Sequence, residues 1–124
     1  MKVLVVGDPH GALREIRKIP LKDVDLALVP GDFGKADLAR KAFFKNVESE
    51  KKGLVKVDPT PKEYKQLYLE IYDSSLDVLN YLSRKVPTYG IFGNVEFHDV
   101  EVRKKEKEFG IRLPMPVKAF KRIK

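Results

Sequence analysis

Residues 3–11 read Val3-Leu4-Val5-Val6-Gly7-Asp8-Pro9-His10-Gly11. A short, largely β-branched apolar run of this kind suits a buried strand of a parallel sheet. It stops at a glycine-flanked turn carrying an acid and an imidazole two residues apart. The arrangement recurs twice: Leu26-Ala27-Leu28-Val29 runs through Pro30 into Gly31-Asp32-Phe33-Gly34, and Thr88-Tyr89-Gly90-Ile91-Phe92 runs into Gly93-Asn94-Val95-Glu96.

Between these runs the apolar spacing is helical. Leu13, Ile16 and Ile19 precede Pro20, and Leu38, Ala39, Ala42, Phe43 and Val47 recur at helical intervals until the charged stretch 48–53. The crossover 35–85 is long for one helix, so two are expected, separated near 53–59. Thr60-Pro61-Lys62-Glu63 opens the second with an N-cap hydroxyl, a proline at the first helical position and a capping glutamate. Its buried face is expected to be Tyr64, Leu67, Tyr68, Ile71, Ser75, Val78, Leu79 and Leu82, with the tyrosines packed on the sheet. A polar helix from about His98 to Phe109, closed by Gly110, leads to a last extended stretch over 117–123. Alternating strands and helices imply an α/β fold with a mainly parallel sheet and flanking helices.

A chain of 124 residues fits a single domain, 1–124, and 43% apolar with 35% charged residues is ordinary for a globular protein. No apolar run is long enough to span a bilayer, and the N-terminal run breaks at Gly7-Asp8, too early for a signal peptide. A cytoplasmic protein is expected. Cysteine is absent, which excludes disulfides, thiolate zinc sites and a cysteine nucleophile. The net charge of +7 arises after Val102, where Arg103, Lys104, Lys105, Lys107, Arg112, Lys118, Lys121, Arg122 and Lys124 face only Glu106 and Glu108. Such a stripe can attract phosphate backbones. No nucleic-acid motif accompanies it, so a solvated helix and a lysine-protected edge strand are the better reading than a nucleic-acid binder.

Parallel sheets bind ligands at the carboxyl ends of their strands. Each of the three turns delivers a ligand there: Asp8 and His10, then Asp32, then Asn94. Two carboxylates, an imidazole and a neutral amide oxygen suit a pair of divalent cations. Two such ions roughly 3.5–4 Å apart activate a shared water and clamp a phosphoryl group for in-line displacement. The chemistry this favours is hydrolysis of a phosphate ester.

Asp8-Pro9-His10, Gly31-Asp32 and Gly93-Asn94-Val95-Glu96 resemble, in this order, the opening motifs Asp-x-His, Gly-Asp and Gly-Asn-His-Asp or Glu of the calcineurin-like metallophosphoesterases. Each motif alone is weak, since an Asp after a strand is often only a helix cap. Three in order, each after its own strand, are specific, and they cover nearly the whole chain. The resemblance implies that Asp8 and His10 hold a first metal, Asp32 bridges and Asn94 holds a second. It implies Mn²⁺ as the first choice of ion, with Fe, Zn, Ni or Mg as alternatives, and a phosphomonoester or phosphodiester substrate. Glu96 matches the family's acidic position, with a salt bridge or a hydrogen bond behind the ligands as its role.

Two departures limit what carries over. Val95 stands where many relatives have a histidine that contacts the phosphate or protonates the leaving group, and an isopropyl group does neither. His98 is the remaining catalytic candidate, against a plain capping or surface role. Relatives also continue into further strands bearing a histidine and a Gly-His-x-His motif, and no histidine follows His98 here. The first metal then has three candidate ligands and the second two, so at most one well-held ion is expected. The family fold is a four-layer α/β/β/α sandwich, and this chain has residues for about its first half. One sheet face is therefore expected to lie bare, calling for a homo-oligomer or a complementary C-terminal-half polypeptide. The alternative to an enzyme is a non-catalytic metal- or partner-binding regulatory module of the same fold.

Overall fold

The computed structural model describes residues 1–116 except 92, 94 and 95. The elements follow in the order β1 (Val3–Val5), α1 (Leu13–Ile16), β2 (Leu26–Val29), α2 (Asp37–Lys51), α3 (Pro61–Lys85), β3 (Thr88–Gly90) and α4 (Asp99–Phe109). The three strands form one parallel sheet in the order β1-β2-β3. This is the α/β fold expected, with helices between parallel strands. Hydrogen bonds from Val6 N to Leu28 O and from Ile91 N to Val29 O carry the pairing just past the strand ends. The expected strand over 117–123 lies outside the described residues, as does Phe92.

Strand pleating sends alternate residues to opposite faces, and only one face is covered. Val29, with Leu4 and Val6 partly buried beside it, packs with Ile16, Phe33, Val78, Leu79 and Leu82 into a core between the sheet, α1 and the C-terminal half of α3. On the other face Val5, Leu28 and Tyr89 form one row across the sheet by register. All three are exposed, as are Val3 and Ile91. Among the described residues this face is bare, as the sequence led one to expect.

Helix α3 buries the eight residues that its periodicity singled out. The hydroxyl of Thr60 accepts from Glu63 N at 3.2 Å, and Pro61 occupies the first turn, so the helix starts where its capping signals place it. Gly53, at φ +71, lies just past α2 and separates the two crossover helices as expected.

Two expectations about these helices are corrected. The tyrosines do not pack on the sheet: Tyr64 and Tyr68 join Val102 and Leu113 in a second core, with Phe97 and Phe109 against it. A helix of 25 residues is about 37 Å long, far beyond three-residue strands, so only its second half reaches the sheet. The Tyr68 hydroxyl donates to Pro114 O and ties down the segment after α4. Gly110, at φ +64, closes α4 as a left-handed C-cap. Helix α2 buries none of its residues fully, and Leu38 and Phe43 of its apolar set are exposed, as is Phe44. Its pattern is amphipathic, but it leans on α3 along a narrow strip that includes Ala39. Among the described residues no helix is long and apolar enough to cross a membrane.

Candidate functional site

Parallel pairing brings the turns after β1, β2 and β3 to one sheet edge, where the backbone joins them. His10 N donates to Asp32 O at 2.9 Å and Gly11 N to Phe33 O at 2.7 Å, fastening the first turn to the second. Gly31, at φ +116, meets Gly93: a Cβ on Gly31 would lie 3.0 Å from the Gly93 backbone. A Cβ on Gly93 would in turn lie 2.6 Å from Asp32 N and collide with the Asp32 carboxylate. The two glycines are there because the second and third turns touch through their backbones. Asp32 sits where all three turns converge.

Asp8, His10 and Asp32 have φ of +43, +45 and +48, and they are the non-glycine residues in the left-handed region among those described. That conformation costs an L-residue about 1–2 kcal/mol, less for Asp and His than for bulkier side chains. Strain of this kind survives where surrounding structure enforces it, and it concentrates at functional sites. Here it falls on three of the four residues that the sequence marks as metal ligands. The fourth, Asn94, lies outside the described residues, as does Val95.

Glu96 connects the third turn to the second. Its side chain is 6% exposed, and its Oε1 accepts from Phe33 N at 2.5 Å. Its Oε2 is buried without a hydrogen-bond partner among the described residues. Burial pushes the Glu96 carboxyl above its usual range and nearby Asp32 adds to this, while the bond from Phe33 N and the charge of His10 pull it down. Glu96 thus bonds to the backbone of the second turn, one residue after Asp32. His98 is the N-cap of α4 without a side-chain capping bond. It is exposed and lines a cleft with Gly93 and Glu96, not the first turn.

The donors fit a divalent cation by chemistry and by the turns that carry them. The side chains are less advanced than the backbone: among the described residues no group of three or more His, Asp and Glu side chains is gathered to hold an ion. The sequence also left Arg40 and Phe43 unread as cleft residues. At helical spacing Phe43 looks like core, and nothing local says that α2 has little to pack against.

Compared with family models, the chain matches that of the calcineurin-like phosphoesterases over residues 1–123. Comparison with curated proteins and with solved structures gave no match.

Proposed function

Because this chain belongs to the calcineurin-like phosphoesterase family, we propose that it is a metal-dependent domain for hydrolysis of phosphomonoesters or phosphodiesters. Asp8, His10 and Asp32 would hold one divalent cation, and Asn94 would face a second. The observation that supports this is the left-handed backbone shared by the three described ligand residues, a strain that a folded core has no use for. Mn²⁺ is the preferred ion, with Fe, Zn, Ni and Mg as alternatives, since carboxylate, imidazole and amide oxygen accept them all. Such an ion supplies an activated water and neutralises phosphoryl oxygens.

The residues of the chain set the conditions for this. Asp32 is held between the other two turns by the His10 and Gly11 hydrogen bonds on one side and by Gly93 on the other. Glu96 fixes the Phe33 amide, so the second turn cannot swing away. The histidines of the sequence are His10 and His98 alone, so within these residues the second cation has two donors and needs more from elsewhere. Hydrolysis by the single chain is therefore expected to be slow or absent. A cytoplasmic setting accords with the lack of cysteine.

A second reading is a non-catalytic module that keeps the fold and one ion, and Val95, where many relatives have a histidine, favours it. Calorimetric titration with Mn²⁺ beside an aryl phosphate assay separates the two. One weak site is expected, and slow Mn²⁺-dependent turnover that Asp32→Ala abolishes would support the enzyme reading. Binding without turnover supports the second reading. Two tight, equivalent sites in a monomer would overturn the ligand count, and no binding would overturn both readings.

A further inference from the structure

A cleft of about 570 Å³ opens beside the convergent turns, within the range of about 300–1,000 Å³ usual for small-molecule sites. One wall is a stripe of α2 and its cap: Ala36, Ala39, Arg40 and Phe43, spaced i, i+3, i+4 and i+7 so that a single helix face looks inward. The small residues leave room, and the two large ones give the cleft its chemistry. Ile71, Phe97, His98 and Glu101 also line it, Phe97 with its ring against Tyr64 and Tyr68 as well. At the inner end are Gly93, which abuts Asp32, and Glu96, whose Oε2 is buried without a hydrogen bond among the described residues. The cleft thus touches the third turn, next to Asp32, and includes the rings of Phe43 and Phe97 in its lining.

Phe43 is 63% exposed, and its ring meets Phe44 edge to face. Arg40, one turn earlier and also exposed, is in no hydrogen bond or ion pair through its side chain among the described residues. A large exposed ring and a guanidinium one turn apart, with a second ring in the same lining, match a ligand that has a flat apolar body and a negative charge. An aliphatic alcohol would fill the volume and gain no ring contact.

We propose that this cleft receives the organic group of the phosphate ester, and that the group is aromatic, packed against Phe43 and Phe97 while Arg40 draws in the charge of the phosphate. The inference rests on the phosphoesterase reading and adds the substrate class to it.

The test is a binding titration followed by NMR in Mg²⁺, with phenyl phosphate, glycerol phosphate and inorganic phosphate as probes. Phenyl phosphate is expected to bind roughly tenfold more tightly than the other two, the scale of one well-made aromatic contact. Its shifts should fall on residues 36–43 and on Phe97. Phe43→Ala should erase the preference and leave inorganic phosphate binding unchanged, and Arg40→Ala should weaken phenyl phosphate most at low salt. Both side chains are exposed, so the variants are expected to keep the parent thermal midpoint. Equal affinity for the three probes, or a phenyl preference that survives Phe43→Ala, would overturn the cleft assignment while phosphate binding left the site reading standing. No phosphate binding, together with no Mn²⁺ binding in calorimetry, would overturn both.

Discussion

Replacing Asp8 by glycine should stabilise the turn and weaken its hold on a cation, and the two effects can be measured separately. Asp8 is exposed and its φ is +43. Holding an L-residue there costs about 1–2 kcal/mol, with Asp at the lower end. Glycine removes that cost and loses about 0.5–1 kcal/mol more chain entropy on folding. The net for Asp8→Gly is a gain of up to about 0.5 kcal/mol. Asp8→Ala keeps the strain, and alanine at positive φ lies more than about 0.4–1 kcal/mol below glycine. The gap between the two variants is therefore about 1 kcal/mol, or near 4 °C in thermal midpoint for a chain of this size. Circular dichroism melts in chelator should place Asp8→Gly at or above the parent and Asp8→Ala below both. In Mn²⁺ the parent midpoint should rise by ligand linkage, and those of the variants should rise less. Equal midpoints for the glycine and alanine variants would refute the strain argument, and an undiminished Mn²⁺ shift in either would remove Asp8 from the ligand set.

Gly93→Ala places a Cβ 2.6 Å from Asp32 N, so backbone must move; a loss of about 1–3 kcal/mol in urea unfolding and weaker Mn²⁺ binding are expected, and an unchanged midpoint would show that the turns do not touch. Glu96 has a folded pKa raised above its ordinary 4.5, so the native state holds its proton to higher pH than the unfolded chain does. Stability should fall as pH climbs from about 4.5 through the folded value, then level off. Glu96→Gln, which keeps an oxygen for Phe33 N, should remove that slope when stability is followed against pH, and a parent and variant with parallel profiles would contradict it. The row Val5, Leu28 and Tyr89 is exposed and apolar, so we propose that the chain pairs through this face, isologous contacts being the commonest way to bury a shared patch. Sedimentation equilibrium at micromolar concentration should show a dimer that Leu28→Lys dissociates; a 14.2 kDa monomer that binds no hydrophobic dye would end the proposal.

Helix α3 could be read from the sequence residue by residue because both of its determinants are local. Thr60 and Pro61 set its start, and 25 residues give a 3.6-residue period about seven turns in which to declare itself. Helix α2 shows what a period leaves out. Leu38, Ala39, Ala42, Phe43 and Val47 obey helical spacing, yet whether a stripe is buried depends on what stands opposite it, and α3 meets α2 only along a narrow strip. The same limit misplaced the tyrosines: periodicity puts Tyr64 and Tyr68 on the inward face of α3, but does not say which partner lies there. That partner proved to be Val102 and Leu113, because the helix outruns the strands it crosses.

At the candidate site, turn position was legible, since glycine beside Asp after an apolar run marks a chain reversal. The backbone state was not. Asp and His take right-handed or extended conformations in most settings, and the three positive φ values arise only when three turns are bonded edge to edge. His10 N to Asp32 O, Gly11 N to Phe33 O and Phe33 N to Glu96 link segments 22 to 63 residues apart, and no window of sequence contains such a set. This also explains why Glu96 admitted two roles until the fold was known: a carboxylate becomes a clasp only when another segment presents an amide to it. The bonds to Asp32 and Phe33 fix main-chain atoms and involve neither the Asp8 nor the His10 side chain. The backbone of the site can therefore be in place while its side chains stand apart, and ion binding would need to reorder side chains without rebuilding the turns.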